Sequence, residues 1–316
     1  MIRRRGVLGG AVAALLLLIA GVVGYETATP QTTTVNLGTF SIAIDYTPYL
    51  VAKEKGWFDE ALAPHHAKAS FTQFETLPAI NEALATKRLD VIFEAEPPVI
   101  IGKAAGIDVR VTNLGCTLPV DILVPANSPI QSIGGLKGKT IAVLAGTSSQ
   151  YGVLVDAAAV GVTDKQFTMV DMPPPEGKAA FESGRVDAWA VWPPWVEQEI
   201  VAGRGRTLQG GQAMIQSIMA MRGSFKDQHP EMAKAISDVL ERAKRWVHDH
   251  PAEAIAIVAK QANLDPKVVQ MAWPKHRFDV SLTPDVRADI QRKADFLFEK
   301  GLVRTRVDVA KDLIRP

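Results

Sequence analysis

The sequence contains a single cysteine, Cys116, among 316 residues. One cysteine cannot form an intrachain disulfide and cannot supply a cysteine-rich zinc or iron–sulfur cage. Aromatic residues are scarce at 7%, and 35 lysines and arginines against 34 aspartates and glutamates leave a net charge of +1. A chain this close to neutral gives no bulk electrostatic reason to expect a nucleic-acid or anionic-membrane partner. Any charged ligand must therefore be met by local groups.

The sequence also lacks a recognisable catalytic constellation. None of its six histidines falls in a metalloprotease or zinc-finger spacing, and no nucleophile is accompanied by a general base and an orienting partner. We therefore predict that the protein is not an enzyme and has no cofactor. A hydrophobic content of 47% with 22% charged residues excludes disordered and fibrous classes, and the length suits roughly two globular domains.

The N-terminus has the pattern of an export signal. Arg3, Arg4 and Arg5 precede an uncharged run over residues 6–25, which is longer than a typical signal core. We predict a signal peptide over residues 1–24, with a retained membrane anchor as the alternative, followed by a linker over 25–34. Either form places the protein in the periplasm or another extracytoplasmic space. The arginine pair leaves the general and the twin-arginine export routes open.

Strand and helix patterns alternate along most of the chain, which predicts an α/β fold with two lobes. Apolar runs predict the following strands or extended segments: 35–42, 69–74, 90–95, 109–116, 120–125, 139–144, 167–172, 187–192 and 214–222. The predicted helices are 48–55, 77–85, 149–160, 176–183, 230–248, 251–261, 266–271 and 284–300. The pattern restarts after the first unit, so we predict lobe 1 over 35–122, lobe 2 over 123–216 and a return to lobe 1 over 217–316.

A glycine and three hydroxyl residues lie between a predicted strand and a predicted helix. Gly146 allows a ligand to approach the backbone, and Thr147, Ser148 and Ser149 supply hydroxyl donors at the positive end of the helix dipole. Such a turn binds an anion without arginine. The alternative is ordinary capping of the helix by these side chains.

Two glutamates follow the third predicted strand of lobe 1. If Glu94 and Glu96 both belong to the strand, their side chains point to the same side, toward the edge where open α/β sheets bind ligands. Two carboxylates near an anion site suit a zwitterion that carries an amine. The alternative is that one of them caps a helix opened by Pro97.

Three tryptophans surround the end of the last strand of lobe 2. Trp192 and Pro193 follow this strand, where an indole can cover an apolar ligand and donate its N–H to an oxyanion. For Trp192, packing in the core is as well supported as covering a ligand. For Trp189 and Trp195 we expect packing in the core.

These segments in this order resemble the periplasmic substrate-binding proteins of ABC importers for aliphatic sulfonates, taurine and nitrate, and the related pyrimidine-precursor binders. The resemblance runs from about residue 35 to about residue 298. Its matching segments are 48–58 (PYLVAKEKGWF), 96–98 (EPP) with 104–106 (AAG), 136–143 (LKGKTIAV), 146–148 (GTS), 184–189 (GRVDAW) and 192–194 (WPP).

The resemblance implies a type II periplasmic-binding-protein fold with mixed sheets flanked by helices and two hinge crossings. It implies that the loop at Gly146 holds the anion, that the segment Glu94 to Pro97 lies opposite, and that the Trp192 loop closes over the ligand. The first strand–helix loop, with Phe40, Asp45 and Tyr46, also lines the cleft in such families. Phe40, Ile42 and Ile44 are apolar where members often carry polar residues, which indicates a more apolar ligand.

The predicted function is that of a monomeric solute receptor of an ABC importer. It captures a small anionic or zwitterionic solute, such as a sulfonate, taurine-like or nitrate-like molecule, by lobe closure and delivers it to a membrane permease. The alternative is an enzyme or precursor-binding protein of the pyrimidine and thiamine-precursor family on the same fold. A transcription-regulator sensor would need a DNA-binding helix pair, where this N-terminus has an apolar segment instead.

Overall fold

The computed structural model describes residues 32–40, 43–211 and 213–314. The predicted signal peptide or anchor over 1–24 and most of the predicted linker lie outside these residues. Within the described part, the first strand begins at Thr33, two residues before the expected start of the folded region.

The described residues form ten strands and twelve α-helices. The strands are β1 (Thr33–Phe40), β2 (Ala67–Phe74), β3 (Val91–Ala95), β4 (Val109–Pro119), β5 (Asp121–Pro125), β6 (Thr140–Val143), β7 (Thr168–Asp171), β8 (Ala188–Val191), β9 (Gly205–Thr207) and β10 (Met214–Arg222). The helices are α1 (Thr47–Glu54), α2 (Trp57–Leu62), α3 (Leu77–Ala85), α4 (Glu96–Ala104), α5 (Ser148–Ala159), α6 (Pro174–Glu182), α7 (Trp195–Val201), α8 (Gly223–Gln228), α9 (Pro230–Asp249), α10 (Pro251–Ala262), α11 (Pro266–Ala272) and α12 (Pro284–Glu299).

The strands form two mixed sheets of five strands each, which confirms the predicted fold class. The first sheet has the order β2-β1-β3-β10-β4 and the second the order β7-β6-β8-β5-β9. In the first sheet β1 pairs in parallel with β2 and β3, while β10 pairs antiparallel with β3 and β4. In the second sheet β6 pairs in parallel with β7 and β8, and β5 is antiparallel to β8 and β9.

The chain changes sheet at two places. It passes from β4 to β5 through Val120 alone, and it returns to the first sheet between β9 and β10. The predicted lobe boundaries, after residues 122 and 216, fall within β5 and β10, so these two connections lie slightly earlier in the chain. The division into lobes itself stays a prediction.

Apolar residues cover both faces of each sheet. One face of the first sheet packs on α1, α2, α9 and α10, with Leu37, Phe58 and Leu240 in that core. The other face packs on α3, α4 and α12, with Leu84, Ile100 and Leu297 buried there. Burial of these side chains drives the association of helices and sheet.

The helix predictions succeeded where an amphipathic pattern was long. The predicted helix 230–248 is α9, which begins at the predicted proline and ends one residue later than expected. Proline suits the first turn of such helices because its missing N–H would be unpaired there. The short helices α2, α7 and α8 were not predicted, because six or seven residues carry too little periodicity to be recognised.

Candidate functional site

A cavity lies where the carboxyl ends of strands from both sheets meet, at the edge where ligands bind in open α/β sheets. It encloses about 440 Å³ of empty space, part of it open to solvent, and we call it the inner chamber. Its lining residues are Ala43, Asp45, Tyr46, Leu77, Glu94, Ala95, Pro98, Leu118, Thr147, Ser148, Trp192 and Ile215. The described lining includes two acidic residues and no lysine, arginine or histidine.

The start of α5 forms one wall of the inner chamber. Gly146 precedes the helix with a φ of +74°, a conformation that favours glycine, and a side chain at this position would begin 3.2 Å from Ile101. The Thr147 hydroxyl donates to the carbonyl of Leu144 at 2.7 Å and does not cap the helix. The first-turn amides of α5 therefore have no side-chain cap, contrary to the capping alternative.

The hydroxyl of Ser148 faces this chamber without a partner. Ser148 is 3% exposed, and its Oγ makes no hydrogen bond within the described structure. An unpaired buried hydroxyl costs free energy unless a ligand or water satisfies it. Together with the uncapped helix start, it makes the first turn of α5 a donor site for an anion.

Glu94, at the end of β3, lines the opposite side of the chamber. Both carboxylate oxygens are buried and have no hydrogen-bond partner in the described structure. Burial without a compensating cation raises the pKa of Glu94 to about 8. The side chain is therefore mainly a neutral carboxylic acid at pH 7, and its proton is available for donation.

Asp45 lies in the 3-10 turn Ile44–Tyr46 and also lines the chamber. Its carboxylate accepts a hydrogen bond from the Ser217 hydroxyl on β10. Burial raises the pKa of Asp45 to about 6 although this hydrogen bond opposes the rise. Asp45 is thus mainly charged at pH 7, but its charge is partly met by Ser217.

The predicted placement of Glu96 is wrong. The strand β3 ends at Ala95, because Pro97 and Pro98 lack an N–H for strand pairing, and Glu96 is the first residue of α4. Its side chain does not line the chamber. It forms a fully buried ion pair with Lys293 of α12 and accepts from the Gln216 amide at 2.9 Å.

Lys293 completes this buried cluster. Its ammonium group also lies 2.9 Å from Asp289 and donates to the carbonyl of Met214 at 2.6 Å. Burial alone would lower the pKa of Lys293, but Glu96 and Asp289 raise it above its usual value. The ammonium therefore stays charged and ties α4, α12 and β10 together behind the chamber.

The structure brings six of the ten predicted site residues together around the inner chamber. These are Asp45, Tyr46, Glu94, Thr147, Ser148 and Trp192. Glu96, Ser149 and Pro193 are buried but do not line the chamber. The side chain of Phe40 lies outside the described part of the structure. The role of these residues in ligand binding stays a prediction.

The tryptophans divide as expected between core and cavity. Trp189 is 1% exposed, packs in the apolar cluster on the second sheet, and lies 6.1 Å from the Trp195 ring, centroid to centroid. Trp192 follows the end of β8, lines the inner chamber and also contacts the core. Trp192 therefore combines the two alternatives that the sequence left open.

The apolar wall of the chamber was not predicted from the sequence. Leu118 on β4 and Ile215 on β10 lie beside the two connections between the sheets, and Leu77 begins α3. Leu77 begins the predicted helix 77–85, and only two residues separate it from the predicted strand 69–74, so its place at the carboxyl edge could be predicted. Leu118 and Ile215 belong to long apolar strands and carry no local signal.

No helix within residues 32–40, 43–211 and 213–314 is long and apolar enough to span a membrane.

Comparison with known proteins points to one group. The chain matches the NMT1-like family over residues 28–263. A protein of Bacillus subtilis (strain 168), named as an aliphatic sulfonates-binding protein, is 32% identical over 273 residues, which cover 84% of this chain and 82% of the relative.

Solved structures share the fold. The periplasmic aliphatic sulphonate binding protein SsuA from Escherichia coli superposes with a TM-score of 0.79 at 23% identity, covering 90% of this chain and 92% of SsuA. The alkanesulfonate-binding protein SsuA from Xanthomonas axonopodis pv. citri, bound to MOPS, gives 0.78 at 24% identity, covering 90% and 99%. These relatives are binding proteins rather than enzymes, in agreement with the prediction that the chain is not an enzyme. By the extent of the family match and by its relative in Bacillus subtilis, this chain belongs to the NMT1-like family.

Proposed function

We propose that the protein is the solute receptor of an ABC importer and that its ligand is an organic sulfonate held in the inner chamber. The observation that carries the proposal is the unpartnered Ser148 hydroxyl at the uncapped start of α5, which faces a buried cavity. A buried donor without a partner is explained when an anion accepts from it.

The charges around the chamber suit a monoanion whose oxygens only accept hydrogen bonds. Glu94 is mainly protonated at pH 7 and donates a hydrogen bond to a sulfonate instead of repelling it. Ser148 and the first amides of α5 supply the other donors. A sulfonate stays ionised across the physiological pH range and offers three acceptor oxygens, so it matches a site made of neutral donors.

The remaining wall favours a ligand with carbon attached to the anion. Leu118, Ile215 and Trp192 form apolar surface next to the donors. An alkyl group buried against them contributes about 0.8 kcal/mol per methylene, which inorganic nitrate cannot obtain. This supports an alkanesulfonate over nitrate.

Taurine is the second candidate, and the unpartnered carboxyl group of Glu94 favours it. An ammonium group beside Glu94 would draw off its proton and form an ion pair, because an adjacent cation lowers a carboxyl pKa. Sulfonate alone and taurine therefore require opposite protonation states of the same residue. Their affinities must respond differently to pH.

The transport role is supported by the relatives and by the N-terminal segment. An exported receptor needs a signal or anchor, as predicted over residues 1–24, and a permease partner on the membrane. The enzyme alternative finds no support in the site. Among the described lining residues there is no cysteine or histidine, and Cys116 lies buried in β4 outside the chamber.

Titration calorimetry on the full-length protein tests the proposal with ethanesulfonate, butanesulfonate, taurine and nitrate. Ser148→Ala should weaken sulfonate binding roughly tenfold or more, because a hydrogen bond to a charged group is lost. Ser183→Ala, which removes an exposed hydroxyl at the end of α6, is the matched control and should bind as the parent does. Absence of heat with every compound, or equal affinity of parent and Ser148→Ala, would overturn the proposal.

A further inference from the structure

The segment 275–277 lies beside the connection through which the chain passes from the first sheet to the second, between β4 and β5. The backbone of Arg277 pairs with that of Thr117 on β4 through two hydrogen bonds of 2.9 Å, one from each amide. Two residues earlier, the ammonium group of Lys275 lies 2.7 Å from the carboxylate of Asp121, the first residue of β5. The segment therefore contacts the chain on both sides of this connection.

A further contact of Lys275 reaches a helix that packs with the second sheet. Its ammonium group lies 2.9 Å from the buried carboxylate of Glu197 on α7, and α7 in turn contacts β9. A rotation of the second sheet relative to the first would move Asp121 and Glu197 relative to Lys275, while the backbone pair on β4 would stay in place. The ion pairs of Lys275 therefore depend on the angle between the sheets.

His276, in the middle of this segment, anchors it to its neighbours. The buried ring stacks on Phe278 at a centroid distance of 6.0 Å, and its Nδ1 donates to the carbonyl of Ala272 at 2.9 Å. Burial lowers the pKa of His276 to about 4, so the ring is neutral at pH 7 and Lys275 supplies the charge that meets the two carboxylates. The backbone that carries Lys275 is therefore held beside β4.

The carboxylate of Glu197 depends on Lys275 for its charge balance. One of its oxygens, Oε1, contacts the ammonium group, and Oε2 is buried without a hydrogen-bond partner in the described residues. Burial raises the pKa of Glu197 although Lys275 opposes the rise. Burial also opposes the charged form of Lys275, but the two carboxylates outweigh it and raise the pKa of Lys275 above its usual value. Conformations that separate Glu197 from Lys275 are therefore unfavourable, because they leave a buried carboxylate without its cation.

The second connection between the sheets has space beside it. A cavity with about 650 Å³ of empty space, part of it open to solvent, is lined by Lys275 and by residues 207–211, which lead from β9 toward β10. Gly210 in this stretch has a φ of +98°, a conformation that favours glycine. Because side chains do not fill the space between this stretch and Lys275, a change in the angle between the sheets can be accommodated there.

We propose that Lys275 is a positioning residue for the ligand site, because its ion pairs hold the two sheets in the arrangement that brings the walls of the inner chamber together. The proposal rests on the proposed function, in which the ligand occupies that chamber. Lys275 does not line the chamber itself. Its ion pairs are present in the conformation in which Ser148 and Glu94 of the chamber are buried, so they stabilise this conformation relative to those with the sheets further apart.

The competing explanation is that this cluster contributes only to folding stability. In that case the loss of Lys275 lowers the free energy of unfolding but leaves the shape and the ligand affinity of the folded protein unchanged. A positioning role has a different signature. The apparent Kd equals the intrinsic Kd divided by the fraction of protein in the binding conformation, so the loss of Lys275 should weaken every ligand by the same factor.

The experiment combines small-angle scattering of the ligand-free, full-length protein with calorimetry for ethanesulfonate, butanesulfonate and taurine. The radius of gyration of ligand-free Lys275→Met should exceed that of the parent, because the sheets lose a contact that holds them together. The Kd of this variant should rise about threefold to tenfold, by the same factor for the three compounds. Saturating butanesulfonate should return its radius to that of the liganded parent.

Lys178→Met is the matched control. The side chains of Lys178 and Lys275 are both 27% exposed, and Lys178 pairs with Glu199, a buried glutamate two positions from Glu197 on α7. Lys178 lies on α6, which contacts β6 and β8, so its ion pair joins two helices of the second sheet and does not reach the first. Both the ligand-free radius and the Kd of Lys178→Met should equal those of the parent.

Two further variants separate the charge from the packing of the lysine side chain. Asp121→Asn combined with Glu197→Gln removes both ionic partners at nearly constant size, and it leaves no unpaired buried carboxylate in this cluster if Lys275→Met fails to fold. The double variant should shift the radius and the Kd in the same direction as Lys275→Met. Lys275→Arg keeps the positive charge and should return both readouts most of the way to the parent values.

The outcomes for Lys275 and for the proposed function are distinct. If Lys275→Met matches the parent in radius and in Kd, or if Lys178→Met shifts as much, Lys275 is not a positioning residue and the proposed function stands. Affinity losses that differ among the three compounds would also contradict the positioning role. If no compound binds the parent, the proposed function is overturned, and the ligand-free radii still show whether Lys275 holds the sheets together.

Discussion

Glu94 and Glu96 show that the surroundings of a residue determine its charge state and its role. They are two positions apart in the sequence, yet one is an unpaired acid in a cavity and the other is half of a buried ion pair. The difference arises because the chain turns from strand to helix between them. The same residue type therefore supplies a protonated donor at one position and a charged structural group at the other.

The affinity for butanesulfonate should decline at alkaline pH. Below about pH 8 Glu94 is protonated and neutral, and above it the carboxylate repels the anion. Binding that requires one proton loses up to about tenfold per pH unit above the pKa. Calorimetry between pH 6 and 10 should show this decline for the parent protein and a flat profile for Glu94→Gln. Taurine affinity should instead be maintained as pH rises through 8, as long as taurine's own ammonium group stays charged, and should drop sharply in Glu94→Gln.

Other groups near Glu94 titrate in different ranges. Asp45 has a pKa of about 6, so its change of charge falls below the alkaline window, and burial raises the pKa of Tyr46 well above its usual value of 10.0. A pH profile that is identical in the parent and in Glu94→Gln would assign the dependence to another group and contradict the prediction.

Folding stability gives an independent check on Glu94. Its pKa in the folded protein lies above the ordinary value of 4.5, so the folded state holds a proton that the unfolded state loses between pH 4.5 and about 8. By linkage, the parent protein loses stability as pH rises through this window. Glu94→Gln should lack this loss, so its stability relative to the parent should increase from pH 5 to pH 8 in urea unfolding.

At the scale of secondary-structure elements, α12 holds two elements next to the inner chamber, α4 and β10, in place. Its Lys293 connects to Glu96 at the start of α4 and to the backbone of β10, which carries Ile215 into the chamber. The sequence predicted α12 as a helix, but only its packing shows that one buried lysine joins three elements.

Removal of this lysine should strongly destabilise the protein. Lys293→Met leaves the carboxylate of Glu96 buried without its cation, which costs about 3 kcal/mol of unfolding free energy. Lys234→Met is the matched control, because Lys234 forms a solvent-exposed pair with Asp238 on α9 and its loss should change stability far less than the loss of Lys293 does. Urea unfolding followed by circular dichroism measures both.

A double variant distinguishes loss of charge balance from loss of packing. Glu96→Gln combined with Lys293→Met removes both charges and should recover part of the stability lost in Lys293→Met. If the double variant is less stable than the parent by the full sum of the two single effects, the two side chains are not energetically coupled.

At the scale of the whole molecule, the parts of the chain that form the two sheets also contact each other outside the inner chamber. Lys275, from the C-terminal helical region, lies 2.7 Å from Asp121 of β5 and 2.9 Å from Glu197 of α7. Near the other end of this region, the ring of Phe296 packs edge-on against Tyr151 of α5 at a centroid distance of 5.0 Å. These contacts link both halves of the molecule to the C-terminal helices.

Ligand binding should bring the two halves closer together. The inner chamber has walls from both sheets, so a ligand bound there contacts both and favours the conformation in which they are closest. Small-angle scattering of the full-length protein should show a smaller radius of gyration with saturating butanesulfonate, together with a change in tryptophan fluorescence. Ser148→Ala at the same ligand concentration should respond less. An unchanged radius at calorimetric saturation would indicate a site that does not close.

The alternation of strands and helices, the fold class and the place of the Gly146 turn could all be predicted from the residues alone. These features follow from local periodicity, from prolines in first helical turns, and from the rule that ligands bind at the carboxyl edge of parallel strands. They depend on residues that are neighbours in the chain, and they can therefore be predicted from the amino-acid sequence.

Which polar groups are paired and which face a cavity depends on contacts between distant parts of the folded chain. Glu96 meets Lys293 across 197 positions of sequence, and no local pattern reports such a pair. The inner chamber likewise exists because segments distant in sequence come together without filling the space between them. The burial of a residue, its charge state and the shape of a cavity each depend on all the residues that lie nearby in space. They are therefore fixed by the packing of the whole chain.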